Sequence, residues 1–324
     1  MDWLLKAETP VEKILVMIVA VALFAAVMSL ILFASEKLPR WLPAVGFLLP
    51  AVIMLSFGLL WPGLRTIMDS FLDAAGREGV GVENYVTVLT NPDFQLILLN
   101  TMAWVIAVPL FSTIFGLLYA VLVDRTRFEK IAKTLIFLPM AISFVGASII
   151  WNFVYQYKPP GTNQIGFANQ LLVWLGLEPN QFLLTPPWNT AFLIVIMIWI
   201  QTGFAMTILS ASIKAIPDEI VEAAQIDGAT GVRTFFSITV PSIRPALIVV
   251  VTTIAMATLK VFDIVRTTTG GQFDTSVIAN EFYSQKFSQG NNGIAATLAV
   301  VLFILVIPII IYNVRQMRIS EGER

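Results

Sequence analysis

Long apolar stretches dominate this chain, and they constrain its fold more than any other feature. A helix that crosses a lipid bilayer needs about 20 mostly apolar residues. The sequence contains seven such stretches, at 12–34, 41–62, 95–123, 134–157, 188–213, 246–266 and 293–314. Only 13% of its 324 residues are charged, whereas a soluble domain has about 25% charged residues. The sequence therefore predicts an all-α polytopic membrane protein.

Lysine and arginine in the short connections predict the orientation of these spans. Basic residues concentrate in 124–133, in 214–245 and in the tail after the last span. On a seven-span count these segments share one side, which the positive-inside rule makes cytoplasmic. The N-terminus is then outside, and the outer segments 158–187 and 267–292 carry one lysine each. A first span that does not insert would change this parity.

The residues that are missing exclude several classes of function. The chain has no cysteine and no histidine, which removes disulfides, thiol chemistry, imidazole bases and the usual zinc or haem ligands. It also has no Gly-x-x-x-x-Gly-Lys-[Ser/Thr] phosphate loop, and its net charge of −1 argues against nucleic acid as a partner. We predict no catalytic residue, no metal and no cofactor on this chain, and hence no enzyme activity.

Charge inside the predicted spans is sparse, which bears on how a transporter of this kind would be driven. Lys260 and Asp263 stand out on the sixth span, with Arg266 one turn further on. They would either pair on one helix face or snorkel to the outer interface. The predicted spans contain no cluster of carboxylates of the kind that would indicate ion coupling. If the chain moves a solute, we expect the energy to enter through a partner.

The polar stretch 214–245 is the largest predicted cytoplasmic segment. Pro217 suits the first position of a helix, and Gly228 can supply the left-handed turn that ends one. Apolar residues then recur at helical spacing towards Pro241 and Pro245. The stretch is therefore predicted to form two short helices joined at Gly228. Such a hairpin would either lie on the lipid surface or dock a soluble partner.

The residues of this hairpin resemble a known signature. The sequences 222–224 (Glu-Ala-Ala), 227–229 (Asp-Gly-Ala) and 235–241, followed by Pro245, resemble the EAA motif of permease subunits in bacterial ABC importers. In that family the segment is the coupling helix, which fits a cleft of the ATPase subunit. The resemblance implies that the contact with the ATPase is made by Glu222, Ala223, Ala224, Asp227, Gly228 and Ala229.

The resemblance covers about residues 82–316. Over this range the sequence is similar to the maltose-type sugar permeases, especially the alpha-glucoside branch. It implies a multi-pass protein of the bacterial cytoplasmic (inner) membrane with a six-helix core and an extra N-terminal helix. Its implied parts are an N-terminal extension with the first core helix (1–62), an extracytoplasmic segment (63–94), the permease core (95–316) with the hairpin, and a tail (317–324). The implied partners are two ATPase subunits that bind ATP and Mg, a second homologous permease, an extracytoplasmic solute-binding protein, the sugar and membrane lipid.

Sugar-contacting positions can be carried over only where the two patterns align. They are Gln201 and Phe204 on the fifth span, Thr258 on the sixth, and Met140 and Phe144 on the fourth. Phe204 stands where the family pattern has tyrosine, and Gln201 where it has glycine. These departures imply a site similar in place but different in sugar preference. The family also pairs one sugar-binding subunit with one that does not bind.

Two other classes remain as alternatives to a sugar importer subunit. The nearer one is an ABC importer permease for a different small solute. The other is a stand-alone secondary carrier driven by protons or sodium, which the lack of intramembrane carboxylates disfavours. A membrane enzyme or assembly factor would have almost no catalytic side chains to use.

Overall fold

A computed structural model describes residues 10–35, 41–124 and 126–322. The chain divides into two compact units, Met1–Thr66 and Ile67–Arg324. Regular structure in the described residues is helical, with one isolated bridge between Leu72 and Gly79 and no strand. Several basic residues behind the predicted orientation lie outside the described residues, namely Lys37, Arg40, Arg125 and Arg324.

The N-terminal unit consists of long apolar helices. Helix α1 (Pro10–Ser35) carries the apolar run Ile14–Leu30. Helix α2 (Trp41–Leu55) continues through a π-helical turn into α3 (Trp61–Asp69). The described apolar side chains of this unit are largely exposed, as expected where the surroundings are lipid.

The described residues of the second unit form thirteen further helices, several of them short. They are α4 (Glu83–Thr90), α5 (Pro92–Val123), α6 (Glu129–Phe137), α7 (Phe144–Val154), α8 (Phe167–Trp174), α9 (Trp188–Lys214), α10 (Asp218–Ile226), α11 (Gly231–Thr234), α12 (Val240–Ser242), α13 (Arg244–Leu259), α14 (Asp263–Thr268), α15 (Ile278–Tyr283) and α16 (Asn292–Gly322). A 3₁₀ turn, Leu138–Ala141, follows α6, and π-helical turns follow α11 and α15.

Four helical stretches of the described residues are long and apolar enough to cross a membrane: Leu48–Asp69, Pro92–Val123, Trp188–Lys214 and Asn292–Gln316. Two bent pairs raise this number to six if each pair forms one span. One pair joins α6 and its 3₁₀ turn to α7 with a bend of 105°, and the other joins Gly231–Ser242 to α13 with a bend of 69°.

The fourth predicted span is not one straight helix. Pro139 lies in the 3₁₀ turn, and Ile142 and Ser143 then adopt extended backbone. The hydroxyl of Ser143 accepts the N–H of Gly146 and so caps the start of α7. The uniform helix predicted over 134–157 was wrong because hydropathy cannot register such a local break.

The sixth predicted span, 246–266, was too long. Helix α13 ends at Leu259, Lys260 is exposed, and a separate helix begins at Asp263. Lys260 and Asp263 therefore do not share one helix face. The guanidinium of Arg266 lies over the ring of Tyr283, 4.7 Å from its centroid, a favourable cation–π arrangement.

Helices α5 and α9 form the centre of the second unit, and small residues bring them close together. A Cβ placed on Gly116 of α5 would lie 2.5 Å from the Cβ of Ala205 on α9. Trp104 on α5 and Met206 and Leu209 on α9 are also fully buried. Helix α9 thus lies in the core along most of its length, and its C-terminal end leads directly into the polar hairpin.

The polar segment before α5 is folded onto the start of α16. The Asn84 amide donates to the carbonyls of Ser70 and Leu72, at 2.9 and 2.8 Å. A Cβ on Gly293 would lie 2.2 Å from that same Leu72 oxygen. This close approach requires glycine there and holds the segment against α16.

Candidate functional site

The hairpin predicted at 214–245 begins with α10, which a glycine ends. Gly228 has φ of +79°, a conformation that costs other residues about 1–2 kcal/mol. The N–H of Gly228 donates to the carbonyl of Gln225, and the N–H of Ala229 donates to that of Ala224. This pair of bonds is a Schellman motif, which fixes the direction of the chain as it leaves α10.

The second arm of the hairpin is irregular. The hydroxyl of Thr230 accepts the N–H of Arg233 and caps α11. A π-helical turn over Phe235–Thr239 leads into α12, and the chain bends by 69° before α13. The arm is therefore a short bent connection that joins the hairpin to a core helix.

The outer face of the hairpin combines exposed carboxylates with exposed apolar side chains. Glu222, Ala223, Asp227 and Gly228 are exposed, whereas Ala224 is buried. The largest exposed apolar side chains there are Ile226 (85% exposed), Val232 (70%) and Phe236 (66%). A Cβ on Gly228 would meet no atom within 4 Å. The face has the small and apolar residues that a close protein contact uses.

A cavity of about 310 Å³ separates the hairpin from the ends of α5 and α9. Asp124 and Ile213 line one wall, and Gln225, Thr234 and Phe235 line the other. The hydroxyl of Thr234 is buried and has no hydrogen-bond partner among the described residues. The hairpin is therefore incompletely packed on the helix ends, which leaves it room to move.

A charged cluster lies at the root of the hairpin, where α9 ends. It consists of Asp124, Glu129, Lys133, Ser210 and Lys214, here called the root cluster. The Ser210 hydroxyl donates to the Asp124 carboxylate at 2.8 Å, and Lys133 contacts the carboxylates of Asp124 and Glu129. Lys214 contacts Glu129 and lies 3.9 Å from Asp124. In the sequence these lysines indicate only topology, because their carboxylate partners come from distant parts of the chain.

The structure places the predicted sugar-contacting residues at different depths. Gln201 is buried and Phe204 is half-buried on α9. Met140 is exposed in the 3₁₀ turn, and Phe144 is half-buried at the start of α7. Thr258 is fully buried, and its hydroxyl already donates to the carbonyl of Ile254 at 2.7 Å. Gly203 brings this part of α9 against Ile136 and Phe137, on a side of the helix about 160° away from Gln201.

A second cavity, of about 410 Å³, lies between α5, α6, α7 and α9. Its walls include the aromatic side chains of Tyr119, Trp151 and Trp199, together with Thr202. At 100° per residue, Trp199 and Thr202 lie on the side of α9 opposite Phe204. The helix therefore presents two different candidate surfaces for a solute.

Neither candidate surface resembles a metal centre. In the residues described, no group of three or more carboxylates could hold a metal ion. Aromatic faces, amides and hydroxyls are instead suited to a neutral, hydroxylated solute, because rings stack on apolar faces and hydroxyls need hydrogen-bonding partners.

Comparison with known proteins identifies the family. Residues 93–319 match the family model described as binding-protein-dependent transport system inner membrane component. The chain is 45% identical over 300 residues to the alpha-glucoside transport system permease protein AglF of Rhizobium meliloti (strain 1021), covering 92% of this chain and 88% of that protein. It is 46% identical over 278 residues to the osmoprotective compounds uptake permease protein GgtC of Synechocystis sp., covering 86% of this chain and all of that protein.

A solved structure shares the fold. A chain of a bacterial alginate ABC transporter, crystallised in complex with alginate pentasaccharide-bound periplasmic protein, superposes with a TM-score of 0.73. The two are 24% identical, and the match covers 86% of this chain and 95% of that one. At this identity the likeness concerns the fold alone. The apolar helices and bent pairs are those expected of a membrane component, in agreement with the family match over residues 93–319. The chain belongs to the family of binding-protein-dependent transport system inner membrane components.

Proposed function

We propose that this protein is the permease subunit of an ATP-driven importer for an oligosaccharide, of which an alpha-glucoside such as trehalose or maltose is the best candidate. The observation that carries the proposal is the preformed face of the hairpin, with exposed Glu222 and Ala223 beside the Gly228 turn. The 45% identity to an alpha-glucoside permease supports the choice of solute.

In this proposal, ATP and Mg bind to two separate ATPase subunits. A solute-binding protein delivers the sugar to the outer face, and a second homologous permease completes the pathway. Closure of the ATPase pair pushes on the hairpin, and the spans alternate between outward and inward openings. The mechanism is mechanical, because this chain has no phosphate loop and no histidine or cysteine.

The sugar site is proposed on α9, around Gln201 and Phe204. The amide of Gln201 can both donate to and accept from sugar hydroxyls, and Phe204 offers a flat apolar face. Met140 and Phe144 would contribute from the neighbouring broken span. Thr258 is completely buried in this conformation, so its contact with sugar would require α13 to shift.

A different small solute is the second candidate function, and one observation favours it. GgtC, a relative that this chain matches at 46% identity, is named for uptake of osmoprotective compounds. Polar residues that bind sugar hydroxyls can also bind other small hydroxylated molecules. Transport measurements with both classes of solute therefore decide between a sugar and another small solute.

The deciding experiment is solute-dependent ATP hydrolysis and uptake by the complete transporter in liposomes. A panel of trehalose, maltose, sucrose, an amino acid and a polyamine is offered with the binding protein. Saturable uptake of an alpha-glucoside that requires ATP is expected. Uptake of only a non-sugar solute would contradict the sugar assignment, and uptake driven by an ion gradient without ATP would contradict the importer assignment.

A further inference from the structure

We propose that the root cluster is the fulcrum through which movement of the hairpin reaches the membrane-spanning helices, and that Asp124 and Lys133 are positioning residues for import. The inference rests on the proposed function, because it names the residues that transmit the ATP-driven movement. The side chains of the root cluster lie at the ends of α5 and α9 and on α6, away from the exposed residues of the hairpin.

The root cluster ties together the end of α5, helix α6 and the end of α9. Asp124 directly follows α5, Glu129 and Lys133 lie on α6, and Ser210 and Lys214 lie on the last turns of α9. Lys133 contacts Asp124, Glu129 and Ser210 at once. A displacement of the end of α9 must therefore either move α5 and α6 with it or break these contacts.

Burial distinguishes this cluster from ordinary surface ion pairs. The side chain of Asp124 is 8% exposed, and those of Lys133 and Glu129 are 24% and 23% exposed. Exposed pairs contribute little because water screens them. A buried partner, by contrast, is left with an uncompensated charge when its counterpart is removed. The cluster can therefore hold the three segments in one arrangement.

The cavity behind the hairpin makes this root important for transmission. Gln225 and Thr234 line the hairpin side, and Val121, Asp124 and Ile213 line the other side. At this point the hairpin is incompletely packed against the ends of α5 and α9. Lys214 is the last residue of α9, only a few residues before α10 begins. Besides the bent second arm that leads into α13, force on α10 can therefore reach the bundle through this short root and the cluster that anchors it.

Two roles for the cluster lead to different measurements. A purely structural staple would lower the amount of assembled transporter, and uptake and ATP hydrolysis would fall together. A fulcrum would leave hydrolysis in place and lower the number of solute molecules imported per ATP. The ratio of uptake to hydrolysis therefore separates the two roles.

The experiment compares Asp124→Asn and Lys133→Gln with wild type in the complete transporter reconstituted in liposomes. Labelled trehalose or maltose and inorganic phosphate release are measured on the same vesicles. We expect about tenfold fewer sugar molecules imported per ATP, within the range that coupling between two sites usually spans. ATP hydrolysis should also depend less on the loaded binding protein.

A double variant and a matched control sharpen the test. Asp124→Asn combined with Lys133→Gln should have a smaller effect than the two single effects added together, because both single changes remove the Asp124–Lys133 contact. Lys130→Gln removes a lysine from an exposed position on the same helix and should keep the wild-type ratio. A normal uptake-to-hydrolysis ratio in both single variants would overturn the proposal.

If Asp124→Asn does not assemble, Ser210→Ala takes its place. It removes the hydroxyl that donates to Asp124 and accepts from Lys133, and it keeps the charges of both residues. A wild-type ratio in an assembled Ser210→Ala transporter would then overturn the proposal. Failure of the proposed solute is a distinct outcome. If wild type imports another member of the panel, the sugar assignment fails, while the ratio is still measured with that solute.

Discussion

Gly203 on α9 lies against the backbone of Ile136 so closely that a Cβ there would come within 2.6 Å of the Ile136 carbonyl oxygen. The same Cβ would lie 2.9 Å from the Cα of Phe137. Because both neighbours are backbone atoms, neither can turn aside. The crossing of α9 with the end of α6 thus depends on the absence of a side chain at this position.

Replacing Gly203 with alanine should therefore destabilise the protein. Overpacking of a filled core costs about 1–3 kcal/mol, and here the backbone itself must shift. We expect a lower Tm of the purified protein in detergent, followed by circular dichroism. Gly63→Ala is the matched control, since a Cβ at Gly63 meets no atom within 4 Å. Equal melting of the two variants would show that α6 and α9 are not packed this closely.

Substitution of Gly228 should impair transport more than assembly. Its φ of +79° strains any residue with a Cβ, but the space around it is open. Asparagine tolerates the left-handed conformation better than β-branched or bulky residues. Gly228→Asn is therefore expected to keep much of the ATP-driven uptake, while Gly228→Val and Gly228→Trp lose most of it. The three variants should co-purify with their partners in similar amounts.

Normal uptake by the Gly228→Trp transporter would refute the role of this turn in coupling. Loss of co-purification in all three variants would instead point to a role in assembly. Gly231→Ala serves as the control on the same hairpin, because Gly231 has no positive φ and no atom within 4 Å of a Cβ. It should transport at the wild-type rate.

Acid should loosen the turn at Asp73 in the segment before α4. The backbone N–H of Arg77, followed by that of Glu78, donates to the carboxylate and holds the pKa of Asp73 below its usual value. A lowered folded-state pKa means that the stabilisation is present above the unfolded pKa and is lost as pH falls through the folded one. Amide exchange at Arg77 and Glu78, corrected for intrinsic rates, should therefore accelerate in acid.

The Asp73→Ala variant provides the reference for this measurement. Its amides at Arg77 and Glu78 should exchange rapidly at every pH, because no carboxylate accepts them. If wild type keeps the same protection after Asp73 is protonated, the hydrogen bonds of the turn do not depend on the charge.

Hydropathy predicted where the helices of the second unit lie, because bilayer thickness sets their length and composition together. Helix α9 follows the predicted fifth span within a residue at each end. The same averaging concealed two breaks. The extended residues Ile142 and Ser143 interrupt one span, and the end of α13 at Leu259 shortens another. Both breaks are decided by a few backbone angles inside windows that remain apolar overall.

The hairpin could be predicted from the sequence, whereas the root cluster could not. Pro217 and Gly228 act on their own neighbours, so sequence spacing indicates where α10 starts and ends to within about one residue. Pro217 precedes the first helical residue, Asp218, instead of occupying that position. Ser210 and Asp124 are 86 residues apart, and only the packing of α9 beside α5 brings them together. Lysines in a cytoplasmic loop indicate topology, whereas their pairing with buried carboxylates is a tertiary property.

The two faces of α9 make different predictions for the sugar site. Phe204→Ala removes the aromatic face on the side where Gln201 was predicted to bind sugar. Trp199→Ala opens the cavity on the opposite side, where Tyr119 and Trp151 also lie. Burial of a phenylalanine side chain contributes about 1.5–3 kcal/mol, which corresponds to roughly 10- to 150-fold in an equilibrium constant. We therefore expect Phe204→Ala to raise the sugar concentration for half-maximal uptake at least fivefold, and Trp199→Ala to leave it nearly unchanged in transporters that assemble normally. Phe153→Ala, at an exposed position on α7, is the control for a general effect of losing an aromatic ring. The reverse result, with Trp199→Ala raising this concentration and Phe204→Ala leaving it unchanged, would place the sugar site in the cavity walled by Trp151 and Trp199.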